Sequence, residues 1–364
     1  MLIHISQPKL RNLPCLHVDI VIWLLAMTLP LPALLDVLWA LDEATRLRVV
    51  ALLQHGELTV TDLTDILGQS QPRISRHLKL LADAGVVDKH REGTWAFFDL
   101  VTSGPIGHLV ADVLALTDAH DSVLAADLDR LTIVRSRRTA VAQEYFAGIA
   151  ARWDEERSLH ASDAVVEQAI VETVGPAKYR SMLDMGTGTG RMLQLLGRNA
   201  DHAVGLDTSH SMLAVARANL ERAEVRGIDL RQGDVYSPPF TNDSFDLIVI
   251  HQVLHFLDDP ARAVREAARL LAPGGRLLIV DFAPHSLEFL RTDHAHLRLG
   301  FRADTVGGWL EHSGLDVSTV RTIAPPTSNV EHAPTGERLT VSLWLGCDRR
   351  TAMTPAALIE RGQR

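Results

Sequence analysis

The stretch Leu183-Asp184-Met185-Gly186-Thr187-Gly188-Thr189-Gly190-Arg191 constrains this chain more than any other. It predicts the end of a buried strand, a glycine-rich turn and a helix over 191–196. Three glycines at alternate positions let the backbone turn tightly and approach a ligand with no Cβ in the way. The helix that follows aims its free amide groups and positive dipole end over that turn. A dinucleotide fingerprint needs G-x-G-x-x-G, but position 191 is arginine and the third glycine comes one residue early. Asp184 also places a carboxylate where a pyrophosphate would be repelled. A ligand carrying an ammonium group and ribose hydroxyls suits the turn better.

The elements after the turn follow in a matching order. Ala203-Val204-Gly205-Leu206-Asp207 is a short apolar run ending in an acid, placed to accept hydrogen bonds from ribose hydroxyls. Thr208 or Ser209 then caps a helix reaching about Ala223, with Met212 in its first turn. Leu230-Arg231-Gln232-Gly233-Asp234-Val235 reads as a third strand and its tip, and Phe245–Ile250 as a fourth strand, apolar enough to be covered on both faces. Leu271–Arg276 predicts a helix stop and turn into a fifth strand, Leu277–Asp281. A sixth strand over Leu315–Arg321 and a seventh over Leu339–Leu345, with Leu339, Val341, Leu343 and Leu345 inward, complete a doubly wound α/β sheet. Pro325 to Gly336 reads as a loop, and the tail from Arg349 as frayed.

The D-x-G-x-G-x-G spacing at 184–190 resembles class I methyltransferases that use S-adenosyl-L-methionine (SAM). The resemblance implies a Rossmann-like, seven-stranded domain over 161–348. It also implies a cofactor site of Asp184, Gly186, Thr187, Gly188, Gly190, Asp207, Thr208, Met212, Gly233, Asp234, Val235 and His251, with Asp234 meeting the adenine amino group. The fourth strand runs into Ile250-His251-Gln252-Val253-Leu254-His255-Phe256, without the Pro-Pro-aromatic motif of enzymes that methylate nucleic-acid amines. Neither of the two cysteines, Cys15 and Cys347, falls in the core motifs, which argues against base methylation through a cysteine nucleophile and against arsenite methylation. Residues 204–281 look most like the small-molecule methyltransferases of quinone biosynthesis.

The segment from Asp281 to Phe301 is dense in histidine and acids and is expected to roof the acceptor pocket. His251, His255 and His294 are the candidate catalytic bases, with His285 and His296 nearby, because imidazole titrates near neutral pH. Asp293, His294 and His296 sit too close together on one helix to converge on an ion, so no metal site is assigned.

The N-terminal third reads differently. The uncharged run Ile20–Leu35 is short for a bilayer span, holds Pro30 and Pro32, and lacks a basic cluster before it. Residues 1–26 are therefore expected to be peripheral, with Met27 a candidate start, and no membrane partner is assigned. Beyond them, Leu34, Leu35, Leu38 and Leu41 predict the apolar face of a first helix, and Leu47, Val50, Ala51 and Leu53 that of a second over 44–54. A short helix capped by Thr59 or Thr61 ends at Gly68. Another, opened by Ser70-Gln71-Pro72, buries Ile74, Leu78 and Leu81 and ends at Gly85. Val86–His90, a turn over 91–94 and Trp95–Leu100 predict a hairpin.

Helix, turn, basic helix and basic-tipped hairpin make a winged helix-turn-helix over 27–102. Glu57–Leu63 and Ser75-Arg76-His77-Leu78 resemble the ArsR family of bacterial repressors. The resemblance implies double-stranded operator DNA as a partner, read by Gln71, Arg73, Ser75, Arg76, His77 and Lys79, with Lys89 and Arg91 on the flanking phosphates. Metal-sensing members carry cysteines where this chain has Thr59 and Thr61; hydroxyls are poor ligands for thiophilic ions.

Residues 103–160 are expected to form a helical connector, with Ile106, Leu109, Val110, Val113, Leu114 and Leu116 striped as the dimer helix of that family. Asp127–Arg138 reads as solvated. Tyr145-Phe146 and Trp153-Asp154 are expected on a helix leading into the second domain, either as the aromatic helix that lids the cofactor in related methyltransferases or as an aromatic face packed on the sheet. A net charge of −9 confines any nucleic-acid surface to a local patch, and two distant cysteines fit a reducing cytoplasm. The whole reads as a dimeric regulator fused to a working SAM-dependent methyltransferase with a small-molecule acceptor. The alternative reading is a regulator whose second domain only senses SAM or S-adenosylhomocysteine.

Overall fold

The structure, a computed structural model, describes residues 28–92, 95–118, 120–150, 163–225, 227–324 and 339–350. The expectations for 1–26, for Trp153-Asp154 and for the loop from Pro325 to Gly336 lie outside the described residues. Contacts divide the chain into two compact units, one of residues 1–90 and 96–132, the other of residues 91–95 and 133–364.

In the first unit, α1 (Leu31–Leu41) leads into α2 (Ala44–Leu53), β1 (Leu58–Thr59) and α3 (Val60–Leu67). Then come α4 (Gln71–Asp83), β2 (Val87–Glu92), β3 (Trp95–Leu100), α5 (Gly104–Ala115) and α6 (Ser122–Ile149), whose second half belongs to the other unit. The strands form a small sheet in the order β1-β3-β2. Local chemistry sets the helix ends. Thr59 caps α3 by a reciprocal pair: its hydroxyl accepts from the Asp62 amide, and the Asp62 carboxylate accepts from the Thr59 amide at 2.8 Å. Gly68 closes the same helix in the left-handed conformation, φ 63°. Ile74, Leu78 and Leu81 of α4 are fully buried, as their spacing requires.

Two expectations for this unit fail. The buried face of α1 is Val37, Ala40 and Leu41, whereas Leu35 and Leu38 are exposed. The helix carries leucine on both sides, so periodicity alone did not choose a face. Residues 127–138 are not a solvated connector throughout. Asp127 is buried at 1% exposure and holds Arg48 by two bonds of 2.6 and 2.7 Å while also pairing with Arg130. Arg130 in turn donates to the Ile66 carbonyl. A carboxylate loses its need for water when two guanidiniums fill its lone pairs.

The second unit continues through α7 (Asp163–Val174), β4 (Tyr179–Met185), α8 (Arg191–Leu196), β5 (Ala200–Asp207), α9 (His210–Arg222) and β6 (Ile228–Gln232). After these come β7 (Phe245–His251), α10 (Pro260–Leu270), β8 (Leu271–Phe282), α11 (Phe289–Asp293), α12 (Ala303–His312), β9 (Leu315–Ile323) and β10 (Val341–Asp348). Among the described residues seven strands form one sheet, ordered β6-β5-β4-β7-β8-β10-β9. The strands from β6 to β8 are parallel, and β10 is antiparallel to both its neighbours. Alternate side chains feed two cores. Met182, Leu247, Val249 and Leu278 pack on one face with α7 and α8; Leu183, Ile248, Ile250 and Leu277 pack on the other with α10 and α12. Near-continuous apolar runs are the signature of strands covered on both sides.

Three details depart from expectation. Leu271 pairs with Phe245, so β8 starts at Leu271 and the Ala-Pro-Gly-Gly stretch is an irregularity within the strand rather than a turn before it. In β10 Ser342 and Trp344 are buried together with Val341, Leu343 and Leu345, because an interior strand has no outward face. Arg349 and Arg350 are held at the start of the tail, Arg349 by Asp316 at 2.7 Å and Arg350 by Asp348 and by Asp243 at 2.7 Å.

Replacing Asp127 with alanine leaves Arg48 and Arg130 without their carboxylate. Because both arginines keep some solvent access, the expected loss in the first unit is about 2–3 kcal/mol, read from hydrogen exchange of the α2 amides.

Candidate functional site

The turn between β4 and α8 is stitched to the tip of β5. Gly186 and Thr187 both donate their backbone N–H to the Leu206 carbonyl, at 2.8 and 2.9 Å. Gly186, Gly188 and Gly190 adopt φ of 78°, 51° and 82°, a region that disfavours side chains. At Gly186 a Cβ would also run into Val253. The Gly188 amide donates to Asp207 Oδ2 at 2.8 Å, and the Ser209 amide donates to Oδ1 at 2.8 Å. One carboxylate thus ties the turn to the cap of α9. Ser209, not Thr208, supplies that cap. Asp207 also lines the cavity described below.

Asp184 lies beneath the turn at 1% exposure. Its Oδ2 accepts from the Thr187 hydroxyl at 2.6 Å, and its Oδ1 has no hydrogen-bond partner. Burial, reinforced by the nearby Asp207 charge, raises its pKa to about 7, and burial also raises that of Asp207. Two carboxylates that resist ionising side by side in one cleft favour a cation between them.

These groups line one cavity. Its walls include Asp184, Gly186, Thr187, Gly188, Asp207, Thr208, Met212, Asp234, Val235 and His251, as the sequence grouped them. Gly190 and Gly233 are absent from the lining; Gly190 caps α8, and Gly233 donates its amide to the Asp207 carbonyl at 3.0 Å. The remaining wall is Phe146, Tyr236, Gln252, Val253, Phe256, Leu257 and Asp258, together with Thr189, Arg191 and Met192. Of the three aromatics expected as a lid, Trp153 lies outside the described residues, and Phe146 lines the cavity and stacks edge-to-face on Phe256 at 4.8 Å.

The other histidines go elsewhere. No residue of 281–301 lines the cavity. His255 is 2% exposed, its Nδ1 lies 2.7 Å from Asp281 Oδ1, and its carbonyl accepts from the Leu297 and Arg298 amides. Those bonds tie the expected roof to the segments that follow β7 and β8. His294 Nδ1 is 2.9 Å from the Tyr145 hydroxyl, and His296 packs on the His255 ring. Only His251 among the three candidate bases lines the cavity. Tyr236, Gln252, Phe256, Leu257 and Asp258 were missed because nothing in residue type sets them apart. Their signal was position, immediately past the tips of β6 and β7.

Gln71, Arg73, Ser75, Arg76 and Lys79 of α4 are exposed, and so are Lys89 and Arg91 on β2. Gln71, Ser75, Arg76 and Lys79 fall on one arc of the helix. His77 is turned aside: it is half-buried with its Nδ1 3.6 Å from Glu43, and burial lowers its pKa. Lys89 lies over the Phe98 ring.

Comparison with known proteins follows these two surfaces. A family model described as a methyltransferase domain matches residues 183–279, and one described as bacterial regulatory protein, arsR family, matches residues 43–89. The chain joins an ArsR-type helix-turn-helix to a methyltransferase domain. An uncharacterized methyltransferase of Bacillus subtilis, YcgJ, is 36% identical over 109 residues, 30% of this chain and 43% of that protein. A ubiquinone/menaquinone biosynthesis C-methyltransferase, UbiE, of Pseudoalteromonas translucida is 31% identical over 166 residues, 44% of this chain and 66% of that one. The demethylmenaquinone methyltransferase of Thermus thermophilus is 38% identical over 109 residues, 29% of this chain and 48% of its own length. The chain therefore spans less than two thirds of each. The crystal structure of YcgJ aligns with 50% of this chain and 98% of its own, at 22% identity and a TM-score of 0.42.

The raised pKa of Asp184 gives a sign for stability. The folded state holds a proton that the unfolded chain has released between about pH 4 and pH 7, so this group's contribution weakens as pH rises through that window. Asp184→Asn is expected to melt above the wild type at pH 8. The difference, on the order of a few kcal/mol at most, should shrink steadily toward pH 4 in differential scanning calorimetry.

Proposed function

We propose that this protein is a cytoplasmic, DNA-binding regulator whose larger unit transfers a methyl group from SAM to a small molecule. The carrying observation is the buried, unpartnered Oδ1 of Asp184 beneath a glycine turn whose amides fix Asp207. SAM fits this donor set because it brings an ammonium, a sulfonium and a ribose diol, where a pyrophosphate would bring only negative charge. Asp207 would hold the ribose hydroxyls and Asp234 the adenine amino group, with Asp184 serving the positive end. Bound there, SAM supplies an electrophilic methyl carried on sulfur.

The protein's part is to position and to dry the site. Phe146, Val253, Phe256 and Leu257 form an apolar wall that keeps water from the acceptor, and such exclusion with in-line placement supplies most of the rate for this class of transfer. His251 is the base candidate that lines this space. His255 and His294 are better suited to holding the loops behind it, given their bonds to Asp281 and Tyr145. The dry wall and the quinone-methyltransferase relatives both support a small, largely apolar acceptor.

Recognition of operator DNA would fall to Gln71, Arg73, Ser75, Arg76 and Lys79, with Lys89 and Arg91 on the phosphates and His77 as a neighbour that sets the helix. No helix among the described residues is long and apolar enough to cross a membrane. The face of α1 that stays open, with Leu31 67%, Leu35 54% and Trp39 59% exposed, supports pairing with a second copy of the chain.

Asp207→Ala should abolish SAM binding in calorimetry; an unchanged affinity, or uptake of NAD in place of SAM, would refute the cofactor reading. Arg76→Ala should weaken operator binding by roughly fivefold or more at fixed salt, with the wild type shifting DNA as a species with the mass of two chains. An unmoved gel-shift midpoint would count against the recognition helix.

A further inference from the structure

The cavity of the larger unit treats charge one way. Asp184, Asp207, Asp234 and Asp258 line it, and the basic residues among its walls are Arg191 and His251. Arg191 already holds Glu167 through two bonds of 2.6 Å. Asp184 is 1% exposed, with an unpartnered Oδ1. Tyr236 supplies a phenol on the same wall. Burial pushes that phenol up, against the Asp259 amide that its oxygen accepts at 2.9 Å, and the charges of Asp258 and Asp259 push it further. Arg135, which pulls it back, and Arg262, over its ring at 5.1 Å, do not line the cavity. Asp184, Asp207 and Tyr236 thus all resist becoming anions in this space.

An acceptor meets the same resistance. A phenol or quinol must develop an oxyanion before its oxygen, or the carbon conjugated with it, attacks a methyl group, and here that anion would sit among carboxylates. An uncharged nitrogen runs the other way. Its lone pair forms the N–C bond, the C–S bond breaks with its electron pair left on sulfur, and the positive charge moves from sulfur to nitrogen. The product is a cation, which carboxylates stabilise in a dry site. An amine that arrives as its ammonium first gives a proton to His251, which lines the cavity. On the proposed cofactor reading Asp184, Asp207 and Asp234 serve SAM, and Asp258 is the acid beyond those three. It is 8% exposed, follows Phe256 and Leu257 in the wall, and has its carbonyl held by Arg298 at 3.1 Å. The Phe146 and Phe256 rings of the same wall add π faces that attract a cation.

We infer that the methyl acceptor is an uncharged nitrogen base on an apolar body, and that Asp258 holds the positive charge the nitrogen gains. The inference names the acceptor class for the SAM reading above and rests on it. Methyl-labelled SAM is supplied with isoquinoline and 2-phenylethylamine as nitrogen probes, and with 1-naphthol and 1,4-naphthoquinol as oxygen and carbon probes. Label is expected on a nitrogen probe and on neither of the others. Label on the naphthol or the naphthoquinol, or on no probe at all, overturns the inference, while binding of S-adenosylhomocysteine keeps the cofactor reading standing. Equilibrium dialysis of the full chain loaded with S-adenosylhomocysteine gives a second arm. The cation N-methylisoquinolinium should bind roughly tenfold or more tighter than its uncharged isostere 2-methylnaphthalene, and Asp258→Asn should remove most of that preference. Equal affinities in the wild type, or an undiminished preference in the variant, sink the idea. Should the variant not fold, the wild-type preference decides alone. A wild type that does not bind S-adenosylhomocysteine overturns the SAM reading and this inference with it.

Discussion

The larger unit depends on a knot of backbone hydrogen bonds between the tips of β4 and β5. The Leu206 carbonyl takes two amides from the turn, and the neighbouring Asp207 carboxylate takes a third from Gly188 and a fourth from Ser209. A turn with three residues at positive φ has little intrinsic reason to hold one shape. Here it is fixed by an anion that is itself fixed by the next helix cap. The price of this rigidity is a pair of carboxylates in one cleft, with Asp184 buried and half-satisfied. A cationic ligand would relieve that electrostatic discomfort, which is the chemistry the proposed cofactor brings.

Much of this was legible in the residues. The order of strands, the glycine turn, the acid tips and the buried face of α4 follow from spacing and type, and β4, β5, β7, α3 and α4 lie where periodicity and caps put them. What sequence could not reach is pairing over distance. Asp127 read as one acid among many in a polar helix; only the fold brings Arg48 from 79 positions away to meet it. His255 had the chemistry of a base, yet the buried Asp281 at the end of β8 captures it. The histidine-rich stretch after β8 turned inward because the Leu297 and Arg298 amides found the His255 carbonyl. For α1 the pattern was ambiguous in itself, since leucines occupy both flanks and the small Ala40 decides which side meets the core.

The smaller unit shows the same division between local and distant information. The Thr59–Asp62 cap, the Gly68 stop and the proline in the first turn of α4 are local and were read from the sequence. The exposure of basic side chains on α4 was equally local, because three buried aliphatics leave them nowhere else to go. His77 is the exception: Glu43, from the far side of the helical cluster, draws it off the exposed arc. Reading a charged helix as uniformly outward overlooks the neighbour that claims one residue.

The place of β10 carries a consequence for how the protein is made. This strand is inserted between β8 and β9 and is paired on both edges, although it is the last of the sheet to be synthesised. Until residue 348 clears the ribosome, β8 offers an open, apolar edge beside strands that are already long enough to pair. A nascent chain in that condition is exposed to wrong edge-to-edge association. The C-terminal strand therefore acts as the closing seam of the sheet, and the large buried Trp344 at its centre makes the closure hard to reverse.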